Sequence, residues 1–109
     1  MPRYKRYGYI VIRTLGYDLK QFMHSGSTRI MGFHPNPAKA HEQIDLYLEG
    51  LKTSVDAPFE VTDTSFEPDP DHGDHKIRGV LIKYPESEIG ARDYWKIERW
   101  WFEVGRTNE

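Results

Sequence analysis

The stretch NPAKAHEQIDLYLEGLK, residues 36–52, decides the fold class. Asn36 offers a side-chain oxygen to cap a helix, and Pro37 suits the first helical position, where the missing N–H costs nothing. Ala40, Ile44, Tyr47, Leu48 and Leu51 then recur at the spacing of one helical face. His41, Glu42, Asp45, Glu49 and Lys52 fall largely outside that stripe, and Gly50 sits near the end. A helix over about 37–52 with a single apolar stripe needs one layer to lie against.

Strands on both sides supply that layer. YKRYGYIVIRTL (4–15) is rich in Tyr, Ile and Val, and its alternation puts Tyr7, Tyr9, Val11 and Leu15 on one face and Ile10 and Ile12 on the other. Gly16 reads as its end. After the helix come FEVTDTSF (59–66), HKIRGVLIKY (75–84, closed by Pro85) and YWKIERWWFEV (94–104, closed by Gly105). Residues 85–93 have room for one helical turn. Residues 17–33 admit two readings: Leu15, Leu19, Phe22 and Met23 have helical spacing, yet the piece is short enough to pair as a strand. Ser25-Gly26-Ser27 reads as a turn, TRIMGF (28–33) as extended, and the prolines of His34-Pro35-Asn36-Pro37 as a breaker. The expected fold is α+β and two-layered, an antiparallel sheet of four to five strands on one main helix in the order β–(17–33)–α–β–β–β. A single domain over 1–109 is expected, with a flexible acidic loop at about 67–75 and a frayed C-terminus at 105–109.

Composition narrows the chemistry. The absence of cysteine excludes a disulfide scaffold, a thiolate metal site and a cysteine nucleophile. Aromatic residues reach 14%, against the ring-poor composition of disordered chains. No apolar run approaches the roughly 20 residues of a membrane helix, and Met1–Arg6 lacks the apolar stretch of a signal peptide, so a cytoplasmic location is the expectation. The net charge of −2 conceals a strong asymmetry: residues 1–34 carry +5, residues 35–75 carry −8 and residues 76–109 carry +1.

One helix covers one face of a sheet, and the other face should then be polar. It is not. The last strand puts Tyr94, Trp100, Phe102 and Val104 on one side and Trp95, Ile97 and Trp101 on the other, and 75–84 likewise divides Val80, Ile82 and Tyr84 from Ile77 and Leu81. The second face calls for a curled sheet, for cover by residues 17–33, or for a partner. The favoured expectation is a protein-interaction module (adaptor, inhibitor or regulator) that forms a homo-oligomer through Tyr7, Tyr9, Trp95, Trp100, Trp101 and Phe102.

Two other functional classes follow from other residues. Bases interleaved with rings suit a single-stranded nucleic acid, with Arg3, Lys5, Arg6 and Arg13 meeting phosphates and the tryptophans stacking on bases. Against it stands the acidic middle. A small dimeric enzyme would use an aromatic pocket, with Tyr9, His34 and Trp100 as candidates. No strained nucleophile elbow occurs, so no catalytic residue is nominated.

Asp71, His72, Asp74 and His75 are the candidates for a divalent metal, but their spacing departs from a calcium loop and reads first as a solvated hairpin loop. His41-Glu42-Gln43-Ile44-Asp45 resembles a zinc-protease helix with Asp in place of the second His, and reads first as a solvated surface. Ser25–Arg29 carries groups that suit a phosphate but lacks P-loop spacing. No cofactor and no metal is expected.

Overall fold

The computed structural model describes residues 4–19, 22–54, 56–66 and 76–104; of residues 4, 5, 18, 19, 22–27 and 102–104 it describes the backbone alone. The elements are β1 (Tyr4–Leu19), β2 (Phe22–His34), α1 (Pro37–Ser54), β3 (Glu60–Ser65), β4 (Lys76–Lys83) and β5 (Arg92–Val104). The strands form one antiparallel sheet in the order β2-β1-β5-β4-β3, with α1 packed on one face. This is the expected two-layer α+β arrangement.

Residues 17–19 and 22–33 are strand, and this corrects three expectations. β1 runs past Gly16 to Leu19, and Leu19 pairs with Phe22. Ser25, Gly26 and Ser27 lie within β2 rather than in a turn. The segment extends the sheet at its edge and does not fold over the open face. Tyr and β-branched residues favour this pairing over an isolated short helix, which is marginal without a face to bury. The ladder absorbs Met31 at a register shift between Val11 and Ile12, and Gly26 at one between Leu15 and Gly16.

α1 starts as its cap predicts. Ala38 N–H donates to Asn36 Oδ1 at 2.8 Å, satisfying one of the orphan donors of the first turn. At the other end Thr53 Oγ1 and Ser54 Oγ both donate to the Gly50 carbonyl. Ala40, Ile44 and Leu51 are buried against Val11, Val80, Ile82, Trp95 and Ile97, with Tyr9, Tyr47, Leu48, Phe59 and Tyr84 packed around them. These faces are the ones that strict alternation predicts for β1 and β5; on β4 Ile77, expected on the face opposite Val80 and Ile82, joins the same core at the register shift between Lys76 and Arg78.

The helix crosses β2 at Gly32. A Cβ at that position would meet the side-chain ends of Gln43 and His34 and would displace them from their present contacts. Gln43 locks the crossing: its Nε2 donates to the Met31 carbonyl at 2.9 Å, and its Oε1 accepts from His34 Nε2 at 2.7 Å. Between β4 and β5, Gly90 adopts φ 64° in the second of two consecutive tight turns. Those turns stand where one helical turn had room. An 18-residue helix is about 27 Å long, whereas 16 residues of strand span about 53 Å. α1 therefore covers the middle of the sheet and leaves the ends of β1 and β5 uncovered.

Candidate functional site

Two charged clusters sit on the helix-covered face. Asp93, 2% exposed, accepts from Arg13 at both oxygens (Nε to Oδ1 2.9 Å, Nη2 to Oδ2 2.7 Å) and from the Tyr47 hydroxyl at 2.7 Å. The Arg13 guanidinium lies over the rings of Tyr47 and Trp95, 4.9 and 5.1 Å from their centroids. Burial, and then the bond to Asp93, push the Tyr47 hydroxyl well above the usual phenol range, so it remains a proton donor to the carboxylate. Each group is satisfied by the others, as a buried ion pair requires. The cluster fastens α1 to β1 and β5.

The second cluster centres on Arg78, buried on β4. Its Nε and Nη2 donate to Asp63 at 3.0 and 2.7 Å, and Nη2 also donates to Asp45 at 2.8 Å. Its Nη1 lies 3.2 Å from His41 Nδ1. Burial, and then the adjacent guanidinium, hold His41 below its ordinary pKa, while the bonds from Arg78 hold Asp63 below the usual carboxylate range. This answers the helix motif His41–Asp45. Both side chains converge on a fixed cation, where a metal ion would be repelled, so the pair serves to bind α1 to β4 and β3.

The open face divides into two territories. Toward β3, the β4–β5 half presents Lys96 and Glu98 3.5 Å apart, with Arg92 and Lys83 in register beside them. Lys76 lies over the rings of Phe66 and Tyr94. On β1 and β2, up to the row of Thr14 and Thr28, the open face is apolar, and Trp100 of β5 adjoins it. Ile10 pairs with Phe33, Ile12 pairs with Ile30, and Trp100 stands opposite Gly8 in the next row. Ile30 is 71%, Phe33 54% and Trp100 41% exposed, and Ile10 and Ile12 are half-buried. Among the described residues, no element packs on this face.

The aromatic residues nominated from sequence do not form one surface. Trp95 is 3% exposed in the core and cannot meet a partner. Tyr9 is half-buried against that core. Tyr7 and Trp101 are exposed and paired with each other, on the helix side but beyond the helix, with the Arg99 guanidinium 4.6 Å from the Tyr7 ring centroid. Of the described side chains in the set, Trp100 alone lies on the open face. The Phe102 backbone pairs with Arg6, and its side chain lies outside the described residues.

Arg6 is exposed, but Arg13 is committed to Asp93, which weakens the basic row for nucleic acid. The Lys5 side chain, Arg3, and the candidates Asp71, His72, Asp74 and His75 lie outside the described residues, as do the loop 67–75 and the terminus 105–109. Tyr9 and His34 are cross-strand neighbours, but Trp100 points to the opposite face, so the three enclose no pocket. Among the described residues no cluster of three metal-ligating side chains occurs. No described helix is long and apolar enough to cross a membrane.

Sequence reasoning missed Ile30 and Phe33 as surface residues. Simple alternation sends residues 30 and 33 to opposite faces. The register shift beside Met31 brings both to the open face. The apolar run 28–33 was visible, but its bulge was not. Comparison with known protein families, with curated proteins and with solved structures gave no match.

Proposed function

We propose that the protein is an interaction module that self-associates through the apolar half of its open sheet face. The observation that carries this reading is the contiguous patch of Ile10, Ile12, Ile30, Phe33 and Trp100 on a face that α1 does not cover. Patches of this kind on folded proteins mark interaction sites. A two-fold contact uses the same patch on both copies, which suits an apolar surface without complementary charges. A stable dimer needs about 800 Å² buried per copy, so the contact would spread from the patch onto the flanking row of Thr14 and Thr28. Adaptor, inhibitor and regulatory roles all fit such a module.

Sedimentation velocity over a wide concentration range tests it. A concentration-dependent dimer is expected, and the double substitution Ile30→Lys with Phe33→Lys should abolish it. Both positions are exposed, so each change should alter the unfolding free energy of the monomer by no more than about 0.5 kcal/mol. A strict monomer at every concentration refutes the reading, as does a dimer that survives the double substitution.

A further inference from the structure

The opposite edge of the sheet carries a second, chemically different surface. β3 is the terminal strand, and all six of its residues are exposed. Phe66 N–H donates to the Ile77 carbonyl, continuing the β3–β4 ladder. Antiparallel bonding alternates residue by residue, so Val61, Asp63 and Ser65 turn their backbone groups away from β4. The same three residues lie on the side of the sheet that faces α1, by their register with Ile82, Val80 and Arg78. Between that edge and α1 runs a groove of about 360 Å³. Leu48, Phe59 and Val61 form its apolar part, and the carboxylates of Asp45, Glu49 and Asp63 outnumber the cations of Arg78 and Lys52. The surrounding chain is acidic: residues 35–66 hold six acids and two bases.

We propose that this groove takes an extended segment of a partner protein as a sixth strand, with an apolar residue opposite Val61 and a basic residue two positions away opposite Asp63. Outward backbone groups of an edge strand recruit an extended chain, and alternate side chains confer specificity. The residue opposite Val61 meets Leu48 and Phe59. The residue opposite Asp63 meets a carboxylate that Arg78 binds from the buried side and that keeps 40% of its side chain exposed, in an arrangement where opposite charges across strands stabilise and like charges destabilise. The intervening residue falls beside Thr62 and Thr64 on the open face and carries no charge requirement. Spacing and chemistry are the same whether the segment adds parallel or antiparallel, because alternation is two in either direction. This surface is independent of the apolar patch at β1 and β2.

The test is a titration of ¹⁵N-labelled protein with the blocked peptide Thr-Val-Thr-Lys-Thr-Val-Thr-Lys-Thr, followed by amide shifts and hydrogen exchange. Shifts are expected along β3 and the facing turns of α1, with exchange slowed at Val61, Asp63 and Ser65. A peptide with Glu in place of Lys should bind at least about tenfold more weakly. Val61→Pro removes an outward N–H and leaves the ladder bonds of Glu60 and Thr62 in place, so it should weaken the lysine peptide at least about tenfold. Val61→Lys, at an exposed position, tests the same contact by charge if the proline variant does not fold. Equal affinity for both peptides, binding that survives Val61→Pro or Val61→Lys, or no perturbation of β3 at millimolar peptide each overturns the proposal. None of these outcomes bears on the self-association, which is read separately by sedimentation.

Discussion

On the face that α1 covers, the buried charges are paired: Arg13 with Asp93 and Tyr47, and Arg78 with Asp63, Asp45 and His41. On the open face, Lys96, Glu98 and Arg92 lie half-buried along the central strand β5, and the isoleucines and phenylalanine of β1 and β2 lie beside them, with Trp100 farther along β5. Both faces thus mix apolar and charged side chains, and they differ in what covers them. Burial forces the covered arginines to find partners, since a lone desolvated charge costs several kcal/mol. The open face meets no such demand, so its apolar residues need a different explanation. Apolar content alone does not locate the core here. What locates it is the helix, because only the sheet rows beneath it are closed to water.

The largest effect that would sharpen this contrast lies at Trp95. It packs on Tyr47 with ring centroids 4.5 Å apart, and its buried Nε1 has no acceptor among the described residues. Trp95→Ala should cost about 3–5 kcal/mol in chemical denaturation. Trp95→Phe should cost well under half of that, because it keeps most of the ring and removes an unsatisfied donor. Equal losses would show that the indole N–H has a partner.

Asp93 comes next. Asp93→Ala leaves Arg13 without its counter-charge at the core edge and should cost about 3–5 kcal/mol, a little less than the tryptophan deletion where water reaches Arg13. Asp93→Asn keeps the shape but turns a donor toward donors, and should recover only part of that stability. Tyr47→Phe removes one bond and should cost about 1 kcal/mol. If Asp93→Ala were as mild as an open-face substitution, the contrast between the faces would fail.

The smallest effect is the pH response of the Arg78 cluster. His41 is held below its ordinary value of 6.5 in the folded chain, first by burial and then by Arg78. The unfolded chain therefore binds a proton that the folded chain resists. The stability from this difference is whole above pH 6.5 and is lost as pH falls through the folded value. Asp63, lowered from 3.8, adds a loss of the same sign in stronger acid. Melting temperature should fall between about pH 7.5 and about pH 5.5, and His41→Gln should flatten the slope. A slope unchanged in His41→Gln would place the titration elsewhere.

Much of the fold was legible from local pattern. The cap at Asn36, the stripe from Ala40 to Leu51 and the alternation of Val11, Val80, Ile82, Trp95 and Ile97 act over a few residues, where backbone geometry dictates the period. Residues 17–33 were ambiguous for the opposite reason. Their propensities are mixed, and a strand in that region becomes stable only when β1 provides a ladder. The candidate surface was legible in kind and not in place. The chain shows an excess of apolar strand positions, but not that Trp95 lies beneath Tyr47 while Trp100 does not.

By itself, then, the sequence determined one helix, a set of antiparallel strands, an apolar excess beyond one core, and a basic start followed by an acidic middle. Those follow from residue type and short-range spacing. Tertiary structure decided which rings are core, which arginines are spent, and which residues share the open face. Ile30 and Phe33 lie together there because one inserted residue at Met31 shifts the register, and a shift of one residue exchanges the faces of everything beyond it. Similarly, α1 and β3 border one acidic groove only because β4 carries Arg78 between them, a contact 33 residues distant from Asp45 in the chain.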